Sequence, residues 1–277
     1  MTTLPDRLDA LPALVATDLD GTLVRSDNTV SAYSHDVLKR LSALGVTVVA
    51  ITGRGPRLLE LCRTDIPSAD YLVMAQGGFV YRCDAGGDVT PLHSTMMSAA
   101  VARRIVEHVE TVTGPLTVIV ENEPTLAAPL VGDAVSDWPF PVPIVPLTRD
   151  EAMIGDIVKT FIRSATIPPL DLLATARDLV PMEWCALTEP GTGFVEICPP
   201  GVDKARGLEF VCSLLGVPAD RTLVFGDAGN DLPMFGWAGR TVAMANAHPD
   251  VIAAADELTG RNDADGVARY LERLYGL

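Results

Sequence analysis

Cysteine is scarce and cannot be fully paired in this sequence. Cys62, Cys83, Cys185, Cys198 and Cys212 are odd in number, with no C-x-x-C spacing. Neither a disulfide framework nor a zinc site is expected, and the thiols read as idle groups in a reducing cytoplasm. Basic residues are also short, 21 Lys and Arg against 36 Asp and Glu, for a net charge of −15. That balance argues against nucleic acid and an anionic membrane surface as partners. No apolar run is long enough to span a bilayer, and residues 1–11 carry Asp6, Arg7 and Asp9 where a signal peptide needs an apolar core. A cytoplasmic protein is expected. Repeats and low-complexity tracts are missing. The histidines, His35, His93, His108 and His248, are scattered, with no Ser/His/Asp or Cys/His constellation.

What is present is an ordinary globular composition, 277 residues of which 48% are hydrophobic, long enough for two domains. A protein this acidic binds phosphate only where backbone amides, a few placed cations or a bound divalent metal reverse the local field. The stretch Ala13-Leu14-Val15-Ala16-Thr17-Asp18-Leu19-Asp20-Gly21-Thr22-Leu23 offers such a place. A short apolar run reads as a buried strand, and it stops at two carboxylates one residue apart. In an open parallel sheet, ligands sit beyond the carboxyl ends of the strands, so Asp18 stands where a small molecule can reach it. Two carboxylates this close repel unless a cation or a shared proton intervenes. The pair is then a metal site, or a nucleophile with an acid/base partner, or both.

A helical spacing over 33–44, with Ser34 as its cap and Gly45 past its end, leads into a second buried strand, 46–51, that ends in Thr52-Gly53-Arg54. The right-handed crossover of this βαβ unit sets the ends of the two strands side by side, so Asp18 and Thr52 share a cleft. A helix at 57–63, a strand at 71–74 and a Gln76-Gly77-Gly78 turn follow. Downstream, Lys204 opens a helix over 204–215, where the dipole disfavours a cation; it is a solvated Lys, or it accompanies an anion bound at that end. The strand 222–225 then runs into Gly226-Asp227-Ala228-Gly229-Asn230-Asp231, the most specific motif in the chain.

In this order, Asp18-Leu19-Asp20-Gly21-Thr22-Leu23, Thr52, Lys204 and Gly226-Asp227-Ala228-Gly229-Asn230-Asp231 resemble the four motifs of the haloacid dehalogenase superfamily, in its Cof-like branch. Asp265-Gly266-Val267-Ala268 is also similar to Cof-type sequences, whereas Gln76 departs from the Asn usual there. The resemblance covers roughly three fifths of the chain. It implies an α/β fold, a Rossmann-like parallel-sheet core formed by residues 1–83 and 191–277, with an inserted α/β cap of the C2B type at 84–190. It further implies a Mg2+-dependent phosphatase acting on a small phosphorylated metabolite such as a sugar or polyol monophosphate. Asp18 would be the nucleophile that forms an aspartyl-phosphate and Asp20 the general acid/base. Asp18, the Asp20 backbone carbonyl, Asp227 and Asp231 would hold the metal. Leu19, Thr52, Gly53, Lys204 and Asn230 would cradle the phosphoryl group.

The cap resembles the family only in pattern. A helix at 96–112, strands at 117–120, 157–162 and 182–186, and a helix at 170–179 are expected in it, with a loop over 124–146 that carries Pro124, Pro129, Pro139, Pro141, Pro143 and Pro146. Alternation on 157–163 puts Lys159, Phe161 and Arg163 on the face toward the substrate and Val158 and Ile162 on the face toward the cap helices. Residues 84–189 hold six Lys or Arg against fifteen Asp or Glu, a poor home for a second phosphate. That weighs against the main alternative, a phosphohexomutase with the same core and cap. A phosphometabolite sensor is a further alternative, as is a two-component receiver, although that is a much shorter domain with no acid/base Asp in the position of Asp20. A monomer or homodimer is expected.

Overall fold

In the computed structural model, residues 11–84, 86–138 and 142–277 are described. The expectations at Asp6, Arg7, Asp9, Pro139 and Pro141 lie outside them. The chain begins with β1 (Leu14–Thr17), α1 (Ala32–Ala43), β2 (Thr47–Ile51), α2 (Leu59–Asp65), β3 (Tyr71–Met74), β4 (Phe79–Cys83) and β5 (Val89–Ser94). It continues through β6 (Met97–Ser98), α3 (Ala99–Thr113), β7 (Leu116–Glu121), β8 (Leu130–Gly132), β9 (Ile144–Pro146), α4 (Arg149–Ala152), β10 (Asp156–Ile157), β11 (Lys159–Ser164), α5 (Pro169–Leu179), β12 (Ala186–Thr188) and β13 (Val195–Cys198). It closes with α6 (Lys204–Leu215), β14 (Thr222–Gly226), α7 (Leu232–Trp237), β15 (Arg240–Ala243), α8 (Pro249–Ala254), β16 (Glu257–Leu258) and α9 (Gly266–Tyr275).

Eight strands form the first sheet in the order β16-β15-β14-β1-β2-β3-β4-β5, parallel from β16 to β3 and antiparallel beyond. The central strands are continuous apolar runs because helices cover both faces of the sheet. β1 pairs with β14 on one side and β2 on the other, Leu14 lying opposite both Thr222 and Thr47. The strand order reverses about β1, and this switch point opens the crevice into which Asp18, Thr52 and Asp227 emerge.

The second sheet has the order β12-β13-β11-β7-β8-β9, antiparallel except at β8–β9. One face carries Val118, Val120, Ile162, Val195 and Ile197, which pack with Ile105, Val109, Leu172 and Ala176 of α3 and α5. Ile119, Leu130, Phe161 and Phe194 form the opposite cluster with Trp138. Among the described residues, no helix is long and apolar enough to cross a membrane.

The sheets divide the chain at points other than those expected. β5 still belongs to the first sheet, although it lies beyond residue 83, because β4 turns back into a hairpin with it. Segment 195–198, expected to have rejoined the core, is β13 of the second sheet, paired with β11 and β12. A short apolar strand does not declare its sheet, and only the register with Phe161 and Thr160 does so here. The strand expected at 182–186 starts at Ala186, because Pro181 and Trp184 close a turn before it. The Pro-rich loop contributes β8 and β9 to the sheet edge, where the missing N–H of a proline costs little. Val158 joins the first core cluster instead of the cap helices. α1 is capped by Ser31, whose Oγ accepts from the Ser34 amide, so Ser34 is the buried third helical residue and not the cap.

Candidate active site

β1 delivers Asp18 to the crevice, and the chain turns at once: the Leu19 carbonyl accepts the amides of Thr22 (3.1 Å) and Val24 (2.8 Å). Gly21 takes φ 83° in this turn, and a Cβ there would lie 2.3 Å from Oδ2 of Asp227, so only glycine fits. Thr22 Oγ1 donates to Asp227 Oδ1 at 2.7 Å, tying the first turn to the end of β14.

Asp18, Asp227 and Asp231 each offer a carboxylate oxygen within 4.8 Å of the others. Lys204 enters from the first turn of α6, which Asp203 caps, and its ammonium donates to Asp18 Oδ1 and Asp231 Oδ1, both at 2.6 Å. The second oxygen of Asp231 accepts the amides of Asp227 (2.9 Å) and Ala228 (3.0 Å). Asp231 thus anchors the loop and the lysine with both oxygens in use. Burial pushes the Asp18 carboxyl well above the usual range, Lys204 draws it down, and Asp231 and Asp227 raise it further. Burial, and then Asp231, raise Asp227 to about 6. Burial works against the Lys204 ammonium, but the two carboxylates outweigh it and its pKa is raised. Three carboxylates around one buried cation leave negative charge uncompensated, and hard oxygen donors in this arrangement could hold a metal ion.

Asp20, only two residues on, stands apart from this group. Arg54 grips it through Nε to Oδ2 (2.8 Å) and Nη2 to Oδ1 (2.5 Å), and turns its Nη1 to Asp65. Burial disfavours the Arg54 charge, but the hydrogen bonds and charge of Asp20 prevail and its pKa is raised. Thr52 is buried at the end of β2, and its Oγ1 accepts the Arg54 amide at 3.1 Å.

Of the other expected residues, Asn230 donates to Gln76 Oε1 at 3.1 Å, and its own buried Oδ1 accepts no hydrogen bond among the described residues. Gln76, at φ 61°, donates in turn to Glu196 Oε2 at 2.8 Å. This amide therefore joins the two sheets. Lys159 donates to the Gly53 carbonyl and to Glu196 Oε1, both at 2.6 Å, and lines a cavity of about 50 Å³ with Asp18, Asp20, Arg54, Arg57, Trp138, Phe161, Glu196 and Asn230. Arg163, expected beside it, does not line that cavity: it pairs with Asp137 and lies over the Phe194 ring. Alternation put it on the correct face but one turn of the pleat too far along.

Arg54, Arg57, Glu121 and Glu196 carry no assignment from sequence. Arg57 and Glu121, each almost fully buried, meet across the two sheets at 3.5 Å. Burial lowers the Arg57 pKa against the pull of Glu121, and raises Glu121 against that of Arg57 and Lys159. Charged residues within or just beyond the apolar strands β2, β7 and β13 were the available signal, since such residues are rarely buried without a partner.

Residues 15–271 match the model of the haloacid dehalogenase-like hydrolases. The chain is 26% identical over 287 residues to a 5-amino-6-(5-phospho-D-ribitylamino)uracil phosphatase of Bacillus subtilis, with 98% of this chain and 100% of that protein covered. Its fold is similar to that of BT1666 from Bacteroides thetaiotaomicron, a phosphatase of the same superfamily (TM-score 0.76, 22% identity, 97% of each chain). It is also similar to that of the subclass IIB sugar phosphatase BT4131 (TM-score 0.73, 20% identity, 94% of this chain and 98% of that one). The chain belongs to the haloacid dehalogenase-like hydrolase family, as a phosphatase of its Cof-like branch.

Proposed function

We propose that this phosphatase hydrolyses a small phosphorylated metabolite, a sugar or polyol monophosphate, through an aspartyl-phosphate on Asp18 and with magnesium bound. The observation that carries this reading is the division between two carboxylates of one motif: Asp18 lies with Asp227, Asp231 and Lys204, while Asp20 is held off by Arg54. Asp18 attacks phosphorus and the ester oxygen leaves with a proton from Asp20; Asp20 then takes a proton from the water that cleaves the acyl phosphate. Arg54 keeps Asp20 oriented for both transfers. Thr52 Oγ1, an acceptor for the Arg54 amide, keeps its proton to donate to a phosphoryl oxygen. Lys204, the backbone at Leu19 and Gly53, and Asn230 complete the cradle. Asp18, the Asp20 carbonyl and Asp227 would hold magnesium, with Asp231 behind them. Once bound, the ion would offset charge on the phosphoryl group.

Lys159, the cap cation that lines the cavity, is already paired with Glu196, and Arg163 with Asp137. That supports hydrolysis over a phosphohexomutase, which needs cap cations for a second phosphate. The proposed metabolite class rests on the phosphoribityl and sugar phosphate substrates that the names of two relatives carry. The test is release of inorganic phosphate from a panel of sugar and polyol monophosphates, with magnesium and with chelator. Magnesium-dependent release is expected. Isomerisation of a hexose monophosphate primed by its bisphosphate would overturn the reading.

A further inference from the structure

We infer that Lys159, a residue of the cap, is a positioning residue for the core's phosphoryl-binding turn and does not bind the substrate's leaving group. The inference rests on the phosphatase reading of Thr52. The peptide between Gly53 and Arg54 carries it. Its carbonyl oxygen accepts from Lys159 Nζ at 2.6 Å, and its N–H donates to Thr52 Oγ1 at 3.1 Å. One planar amide therefore has a cap ammonium at one end and the phosphoryl-binding hydroxyl at the other. An ammonium on the carbonyl polarises the amide and strengthens the N–H as a donor. With that bond made, Thr52 Oγ1 has one of its two lone pairs engaged and its proton directed elsewhere. The same residue, Arg54, carries the guanidinium that grips Asp20. Fixing this peptide plane thus fixes both the hydroxyl at phosphorus and the mount of the acid/base.

The rest of the lysine's surroundings leave it little else to do. Its ammonium has three protons; one goes to Gly53, one to Glu196 Oε1 at 2.6 Å, and the Phe161 ring centroid lies 4.6 Å away. Glu196 is held by Gln76, and Gln76 by Asn230 of the fourth motif. A Cβ at residue 53 would approach Gln76 Nε2 to 2.6 Å, so the turn and this amide are packed against each other. The cavity beside them has a volume of about 50 Å³. The phosphoryl-binding turn is complete only with the Lys159–Gly53 bond made, so the cap takes part in forming it.

The experiment compares Lys159→Met with the wild type on aryl phosphate and on several sugar phosphates, at saturating magnesium. A positioning role lowers kcat about tenfold to a hundredfold by the same factor on every ester and changes KM little. Lys159→Arg, which can still reach the carbonyl, restores part of the rate. Because Lys159→Met leaves Glu196 buried without its cation, the double variant Lys159→Met/Glu196→Gln removes both charges and is expected to fold and to keep the low kcat. A change in the ranking of substrates would make Lys159 a leaving-group contact and overturn the inference. So would an unchanged kcat in both variants, provided Thr52→Ala is slow; that outcome leaves the phosphatase reading standing. If Thr52→Ala is as fast as wild type, the phosphoryl role of Thr52 fails, and the relay with it.

Discussion

Around Asp18, Asp227 and Asp231 bring the carboxylates to three against one lysine, which bonds Asp18 and Asp231; at the seam between the sheets, Arg57 and Lys159 meet Glu121 and Glu196, two cations for two anions. Both groups are shielded from water, yet only the first is left with excess charge. An excess of negative charge in a buried place is unstable unless something positive comes to it, so that group is suited to binding a cation and a reacting phosphate. A group balanced in charge calls for no further ion, although Arg57 Nε and Nη1 and both oxygens of Glu121 make no hydrogen bond among the described residues. It fastens one body to another, and it loses most when only one member is removed.

The largest expected effect attacks the first group at its reacting atom. Asp18→Asn removes the nucleophile while keeping its shape, and turnover should fall on the order of 10⁴-fold or more. Phosphate release measured beside an unchanged circular dichroism spectrum checks this; substantial residual activity would sink the covalent route. Asp20→Asn should instead spare esters with good leaving groups more than poor ones, because an activated alcohol needs less help from a proton.

The next effect is on stability. Lys204→Met leaves Asp18 and Asp231 facing each other without the ammonium that bonds both. A buried pair broken from one side costs about 3–5 kcal/mol. Magnesium should recover a larger part of the unfolding midpoint in this variant than in the wild type, since the variant has the greater excess of charge. Equal shifts in the two proteins would show that the lysine and the ion do not answer the same charge.

The balanced group predicts the opposite pattern. Lys159→Met and Glu196→Gln should each destabilise the chain, but the double variant should cost less than their sum, with a coupling of about 0.5–3 kcal/mol. Magnesium should change none of these differences. A magnesium-dependent coupling would mean that the seam and the catalytic group are one electrostatic unit.

These two groups also differ in how far the sequence discloses them. Asp18, Lys204 and Asp227 each end a strand or open a helix of a βαβ pattern, so position along the chain is enough to gather them. The boundaries of α6 and α9 are likewise legible, because Gly216 and Gly276 close both helices in the left-handed region. The seam is another matter. Glu121, Lys159 and Glu196 come from three strands of the second sheet, and their meeting with Gly53, Arg57 and Gln76 depends on antiparallel register and on how one sheet sits over the other. Neither is written in local periodicity. For the same reason, 195–198 could not be assigned to its sheet, and Arg163 could not be told from Lys159.

The smallest effect is a pH dependence, and it tests the excess charge alone. With chelator present, Asp227 in the folded chain titrates near about 6 against an ordinary value of 3.8. Between those values the folded state holds more protons on this group than the unfolded state does, so stability falls as pH rises through the window and levels off above it. Asp265, whose carboxyl is held below its ordinary value despite its burial by Arg25, Ser31 and Ser34, has the opposite sign: its contribution is present above 3.8 and is lost as pH falls below it. The two windows do not overlap. Unfolding midpoints of wild type and Asp227→Asn, measured from pH 4 to 7 with chelator, should therefore diverge as pH rises, the wild type losing the extra stability. Magnesium bound there would take the place of the proton on the ionised carboxylate and should remove the divergence. If the two proteins run parallel across the window without metal, Asp227 is not a carboxylate in want of a cation, and the contrast between the two buried groups fails at its weaker end.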